Sequence, residues 1–244
     1  MARHALLNNV EHKDLRVVMR YGAEFGDTSA SVATFPTEFA DVQREYPIFL
    51  RKDQATGEYQ ALALLGFEKG ENLFVSEGRW NAYYLPGMVA RGPFMIGVQE
   101  RQVEGTTRSD RLIHVDLDHP RISFTEGEPV FLPQGGNTPM LDHIAAILRG
   151  IHEGLEMGKA MYATLSSYDL IEPVTLEVKV TAEHVYNLGG LHSVSLEKLH
   201  KLDKDALHRL HQTGFLHGAF LLGTSIGNVK KLISLKQKKL RAPA

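Results

Sequence analysis

Three groups of residues in this 244-residue chain have the types and spacing that chemistry can use. The first is Gly223-Thr224-Ser225-Ile226-Gly227, the G-x-S-x-G pattern of a nucleophile elbow. That pattern works when an apolar run leads into it and a helix leaves it, so that the serine stands on a sharp turn. Both flanks read that way here. The elbow's chain order then places an acid and a histidine after the serine, and neither Asp, Glu nor His follows Ser225. A hydrolase of this kind is excluded, and Ser225 reads instead as a cap for the last helix, with glycines allowing close packing.

The second group is histidine and carboxylate. His184, His192, His200, His208, His211 and His217 crowd one stretch, and His208 and His211 share a helix face, as two metal ligands can. No H-E-x-x-H accompanies them. His114-Val115-Asp116 has the H-x-D spacing of an iron-oxygenase site, and on a strand both side chains point to one face. His114 and Asp116 are therefore the candidate metal ligands, set against ordinary half-buried histidines. No glycine-rich phosphate cradle of either common type is present, so nucleotide use has no support, and no cofactor is expected. Glu126 and Glu128 sit in a Gly/Pro turn and read as solvated.

The third group is a series of aromatic, proline and arginine words: Tyr46-Pro47-Ile48-Phe49, Glu71-Asn72-Leu73-Phe74, Trp80 with Tyr83-Tyr84-Leu85-Pro86, and Arg91-Gly92-Pro93-Phe94. Trp80, Tyr83, Tyr84 and Phe94 can line a concave ligand site, with Arg91 as a bidentate anion anchor. The same residues can equally build a core on irregular backbone, with prolines fixing turns and Arg91 paired internally. Asn72 is placed to bond backbone after the Lys69-Gly70 turn.

The elements that must hold these residues follow from periodicity. Tyr46 to Arg51 and Tyr59 to Phe67 read as strands of a hairpin turning through Asp53 to Gly57. Phe94 to Val98, Leu112 to Val115 and Pro129 to Leu132 read as short strands between Gly, Pro and Asp turns. Thr138-Pro139 has the chemistry of a helix start, and apolar residues from Met140 to Ile151 at helical spacing predict a long amphipathic helix to about Leu165. Val174 to Thr181 alternates as a half-buried strand, and Val185 to Leu188, Gly189-Gly190 and Leu191 to Val194 read as a hairpin-like unit. Short helices are expected from Leu196 and Lys204, and a last one over about Ser225 to Leu240. The fold class is α+β: short antiparallel strands and hairpins in the first half, a long amphipathic helix and mixed strand and helix in the second. One domain over residues 1–244 is the expectation, with a softer division near residue 136.

Composition narrows the setting. With 43% hydrophobic and 23% charged residues this is an ordinary globular chain, and its lack of cysteine removes disulfides, thiolate metal sites and a catalytic thiol. No signal sequence is legible in Met1 to Arg20, and Gly214 to Val229 is too short for a membrane span, so a cytoplasmic protein is expected. Charge is polarised: all 29 acidic residues precede position 206, whereas seven basic ones follow it. Such a basic tail suits an acidic partner surface, or it complements helix ends within the chain. No aromatic residue is interleaved with its lysines, so no nucleic-acid partner is expected.

The words just quoted, in their order, resemble the SapC family, named for a bacterial surface-layer protein locus. The likeness runs through Tyr46 to Phe49, Ala61 to Phe67, Glu71 to Phe74, Trp80 to Pro86 and Arg91 to Phe94. It continues in Ile113 to Asp118, Gly127 to Phe131 and the apolar Gly214 to Leu235. Ala90 stands where that family's pattern has a first arginine, and Gly92 where it has an aromatic. The resemblance implies an accessory role in a surface-layer or TonB-dependent nutrient-uptake system, and it supplies no agreed catalytic residues. Two readings follow: a non-enzymatic cytoplasmic accessory protein binding an unidentified partner protein or small ligand through the aromatic-arginine region, or a metal-dependent oxygenase-type enzyme using His114 and Asp116.

Overall fold

A computed structural model describes residues 3–103 and 106–241, with residues 98–110 entering through their backbone alone. The fold is α+β, with antiparallel sheets throughout. The largest sheet has five strands in the order β12-β13-β4-β5-β3. These are β3 (Ser31–Ala33), β4 (Ile48–Lys52), β5 (Tyr59–Leu64), β12 (Ile171–Lys179) and β13 (Val185–Val194). The expected hairpin is present, with Ile48 opposite Ala63 and Lys52 opposite Tyr59. Ile48, Phe49 and Leu50 are all buried, so this central strand is covered on both faces and shows no polar alternation.

A second sheet has the order β1-β9-β8, from β1 (His4–Leu6), β8 (Phe94–Val103) and β9 (Thr106–Asp116). The two short strands expected near residues 94–115 are the roots of this one long hairpin. The outer parts of its strands, residues 99–103 and 106–110, are too polar to announce themselves by alternation. Two small ribbons complete the strands: β10 (Ile122–Ser123) and β11 (Glu128–Pro129) flank β2 (Arg16–Val17), and β6 (Val75–Ser76) pairs β7 (Arg79–Trp80). The strand expected over Pro129 to Leu132 is reduced to β11 and a single bridge from Phe131 to Asn137.

The predicted hairpin at Gly189-Gly190 is corrected. β13 runs through both glycines and pairs along its length with β12. Val174 faces Leu191 and Leu176 faces Leu188, so two residues of β13 oppose one of β12. The glycine pair is a β-bulge, with Gly190 at φ +72, the left-handed conformation that such a bulge demands. Glycine marked an irregularity within a strand, not its end.

Seven α-helices are described: α1 (Phe39–Val42), α2 (Gly87–Ala90), α3 (Pro139–Ser167), α4 (Leu196–His200), α5 (Lys204–Gln212), α6 (Phe215–Ser225) and α7 (Val229–Arg241). The start of α3 is as its sequence states: Thr138 Oγ1 accepts from Leu141 N at 3.3 Å, and Pro139 occupies the first turn. Two apolar clusters share this helix. Leu141, Ile144 and Leu148 pack with Leu15, Phe94 and Val115, whereas Met161, Tyr162 and Leu165 pack with the five-stranded sheet, α6 and α7. Each fully buried Leu or Phe contributes about 1.5–3 kcal/mol, so α3 ties the two halves through several such residues at once.

Ser225 does not cap the last helix. It is 1% exposed, its Oγ accepts from Ile48 N at 2.9 Å, and it donates to Leu222 O at 2.6 Å. The serine thus fastens α6 to β4. The close packing expected of its glycines is found at Gly223, where an added Cβ would stand 2.7 Å from Leu196.

Candidate functional site

The aromatic-arginine words do converge, but on two places. Trp80 and Arg91 face a common open cavity of about 210 Å³. Trp80 comes from β7, Arg91 from the turn that ends α2, and the opposite walls from the loop around Asp27 and the turn after β9. Tyr84 faces another cavity, where its hydroxyl donates to Glu38 Oε2 at 2.7 Å, and Tyr83 stands fully exposed at that second rim. Phe94 is wholly buried in the core cluster with Leu15, Val115 and Leu141. Trp80 and Arg91 thus remain together at one site, while Tyr83, Tyr84 and Phe94 do other work.

Trp80 is a fixed wall. Its ring stacks on Phe74 with centroids 6.3 Å apart and meets Tyr21 edge-on at 5.9 Å. Its Nε1 donates to Tyr46 Oη at 2.8 Å, and Tyr46 donates onward to the Tyr84 carbonyl at 2.6 Å. Burial drives the Tyr46 hydroxyl well above its ordinary range, against the hydrogen bond from Trp80, so it remains a neutral relay. The segment after it is pinned by Glu45, whose Oε2 accepts the amides of Tyr83 and Tyr84 at 2.7 and 3.1 Å.

Arg91 closes its own turn by donating from one terminal nitrogen to Phe94 O at 2.7 Å. Its Nε is buried with no acceptor, and no carboxylate pairs with it among the described residues. Burial accordingly lowers its pKa from the usual guanidinium value. Gly92 beside it has φ +53, and nothing lies within 4 Å of where a Cβ would stand, which leaves the cavity mouth clear.

Asp27, His119 and Arg121 complete the site, and sequence reading missed all three. Arg121 and Asp27 form a 2.6 Å ion pair, each side chain only 6% exposed. Arg121 also donates to Arg20 O at 3.0 Å and lies 5.1 Å from the ring centroids of both Tyr21 and Phe25. His119 Nδ1 accepts from Arg121 N at 3.1 Å. Its pKa is lowered, first by burial and then by the neighbouring Arg121 charge. Asn72, expected to bond backbone, accepts from Phe74 N and donates to Asp27 O, both at 2.9 Å, and so steadies the loop carrying Asp27. No sequence pattern brings residues 27, 72, 91 and 121 together; only the packed fold does.

His114 and Asp116 do lie on one face of β9, as their spacing requires. The His114 ring lies across Gly97 of β8, where an added Cβ would be 2.2 Å from it, and Asp116 Oδ1 accepts from Asp118 N at 3.1 Å. Among the described residues no three His, Cys, Asp or Glu side chains gather as a metal site would need. His208 and His211 are exposed on α5.

Much of the basic tail is used inside the chain. Lys231 Nζ bonds Glu45 Oε1 at 2.7 Å, Lys236 bonds both Glu68 and Glu71 at 2.7 Å, and Lys239 reaches Glu71 at 3.2 Å. Lys236 and Glu71 are each 5% exposed. No helix among the described residues is long and apolar enough to cross a membrane.

A family model for SapC matches residues 7–232, and the chain belongs to the SapC family. No curated protein and no solved structure matches the chain.

Proposed function

We propose that this SapC-family chain is a non-enzymatic accessory protein of a surface-layer or TonB-dependent uptake system that binds a small ligand in the Trp80–Arg91 cleft. The observation that carries this reading is the half-buried Arg91 guanidinium, its Nε buried without an acceptor and no carboxylate paired with it among the described residues, on the same open cavity of about 210 Å³ as the fixed Trp80 ring. A guanidinium without counter-charge is costly to bury, and an anion in the cleft supplies the missing partner. The Arg121–Asp27 pair and the Arg91–Phe94 clasp are holding contacts; neither pairs a nucleophile with a base.

The binding part is tested by thermal denaturation of the purified protein against a panel of small anions and their uncharged analogues. An anion at a hundred times its Kd raises stability by about 2.7 kcal/mol. The ligand is recovered chemically unchanged. The accessory part is tested by deleting the gene: growth suffers when uptake through an outer-membrane receptor is limiting and not otherwise. Equal growth of deletion and parent strains under uptake limitation would sink that role.

A further inference from the structure

We infer that the cleft selects a small organic monocarboxylate, an inference that rests on the binding reading above. Charge decides the anion's valence. Two guanidinium groups line the cavity, but Arg121 is consumed by Asp27 at 2.6 Å. Arg91 alone lacks a counter-charge among the described residues, so the lining offers one net positive charge. A dianion such as phosphate would set its second charge against the Asp27 carboxylate in a partly desolvated site. A single carboxylate balances Arg91 and leaves the ion pair intact.

The donor set fits a planar carboxylate. Arg91 spends one terminal nitrogen on Phe94 O and its Nε is buried, which leaves the other terminal nitrogen as its donor to a ligand. His119 accepts from Arg121 N through Nδ1, so its neutral ring carries the proton on Nε2 and presents a second donor. Burial and Arg121 lower the His119 pKa, which keeps that tautomer at neutral pH. The Trp80 face offers an apolar contact for the organic part, and it cannot swing away because Phe74, Tyr21 and Tyr46 hold it. A cavity of about 210 Å³ is below the roughly 300–1,000 Å³ of drug-sized sites, so the ligand is fragment-sized.

Trp80 is the chain's one tryptophan, so its emission reports on this cleft. The experiment titrates the full chain with benzoate, acetate, benzamide and inorganic phosphate, following Trp80 emission. Saturable quenching by benzoate or acetate, with benzamide at least tenfold weaker and phosphate unable to compete, is the expected result. Arg91→Lys weakens the carboxylate at least tenfold, and Arg91→Met, checked for folding by circular dichroism, abolishes it. Where Arg91→Met does not fold, Arg91→Lys carries the test. Phosphate binding tighter than either carboxylate with the same dependence on Arg91 overturns the monocarboxylate class and leaves the cleft as a binding site. No emission change with any of the four, or changes indifferent to Arg91, overturns the class and the cleft reading together.

Discussion

Trp80 Nε1 and Tyr46 Oη are joined by a 2.8 Å hydrogen bond that links the wall of the cleft to the start of the central sheet. Tyr46 is fully buried and adjoins β4, while Trp80 belongs to a separate two-stranded ribbon. The bond, extended by Tyr46 to the Tyr84 carbonyl at 2.6 Å, fixes two of the aromatic words, that of Tyr46 and that of Trp80 and Tyr84, against each other. Residues 34 and 38 positions apart from Tyr46 thus meet at one hydroxyl.

Removing that hydroxyl tests the link. Tyr46→Phe leaves the Trp80 N–H and the Tyr84 carbonyl without their partner, and a stranded buried polar group costs about 1–3 kcal/mol. Urea unfolding is expected to show a loss in that range with an unchanged slope, and Trp80 emission to shift as its N–H seeks water. An unchanged midpoint would show that the bond carries no stability.

The Lys236–Glu71 pair predicts an asymmetric response to substitution. Lys236→Met removes the nearer of two ammonium partners of a carboxylate that is 5% exposed and leaves Lys239 at 3.2 Å, so the expected loss is smaller than the about 3–5 kcal/mol of a fully unpaired buried charge. A double variant, Lys236→Met with Glu71→Gln, is expected to recover a substantial part of that loss, because no uncompensated charge remains. Differential scanning calorimetry of the two proteins checks the order; a double variant less stable than the single would refute it.

Acid stability follows from the same carboxylate. Burial pushes the Glu71 pKa up, but Lys236, the Phe67 amide and Lys239 together outweigh it and hold the group below its usual value. A depressed folded pKa contributes stability above the unfolded value near 4.3, and that contribution is lost as pH falls through the folded value. Glu45 shifts in the same direction: burial opposes, and Lys231 with the Tyr84 and Tyr83 amides prevails. Denaturation midpoints are therefore expected to drop as pH falls below about 4, with a shallower slope in Glu71→Gln. A slope that Glu71→Gln leaves unaltered would contradict the assignment.

Gly66→Ala tests the packing of the Glu71 turn. A Cβ at this position would lie 2.6 Å from the Glu71 carbonyl oxygen, and backbone cannot step aside as a flexible side chain can. Overpacking of this kind costs about 1–3 kcal/mol. Chemical denaturation gives the measurement, and an alanine variant as stable as the parent would mean that the Glu71 turn moves freely.

The sequence made the regular elements readable and the site only half so. The start of α3 was legible because Thr138 and Pro139 are local chemistry, and the β4–β5 hairpin because Asp53 to Gly57 supplies its turn. The Gly189-Gly190 bulge is not legible as one because glycine serves turns and bulges alike, and only the pairing of β12 with β13 separates them. Trp80 and Arg91 were found as a pair through their neighbouring words. Asp27 and Arg121 lie 94 positions apart in segments without periodicity, and their meeting depends on tertiary packing that no local pattern encodes. Tyr83, Tyr84 and Phe94 show the converse: adjacency in sequence does not decide which way a side chain turns on irregular backbone.

Lys236 reaches Glu71 across 165 positions, and this has a bearing on biosynthesis. A chain emerging from the ribosome exposes the Glu71 turn, and with it Asn72 and the loop of Asp27, long before α7 exists to neutralise it. The Glu71 carboxylate must wait without Lys236 until the last described helix has been made. Translation that stalls short of Lys236 leaves a product with a ready-made mark of incompleteness: a negative charge that should be buried and is not.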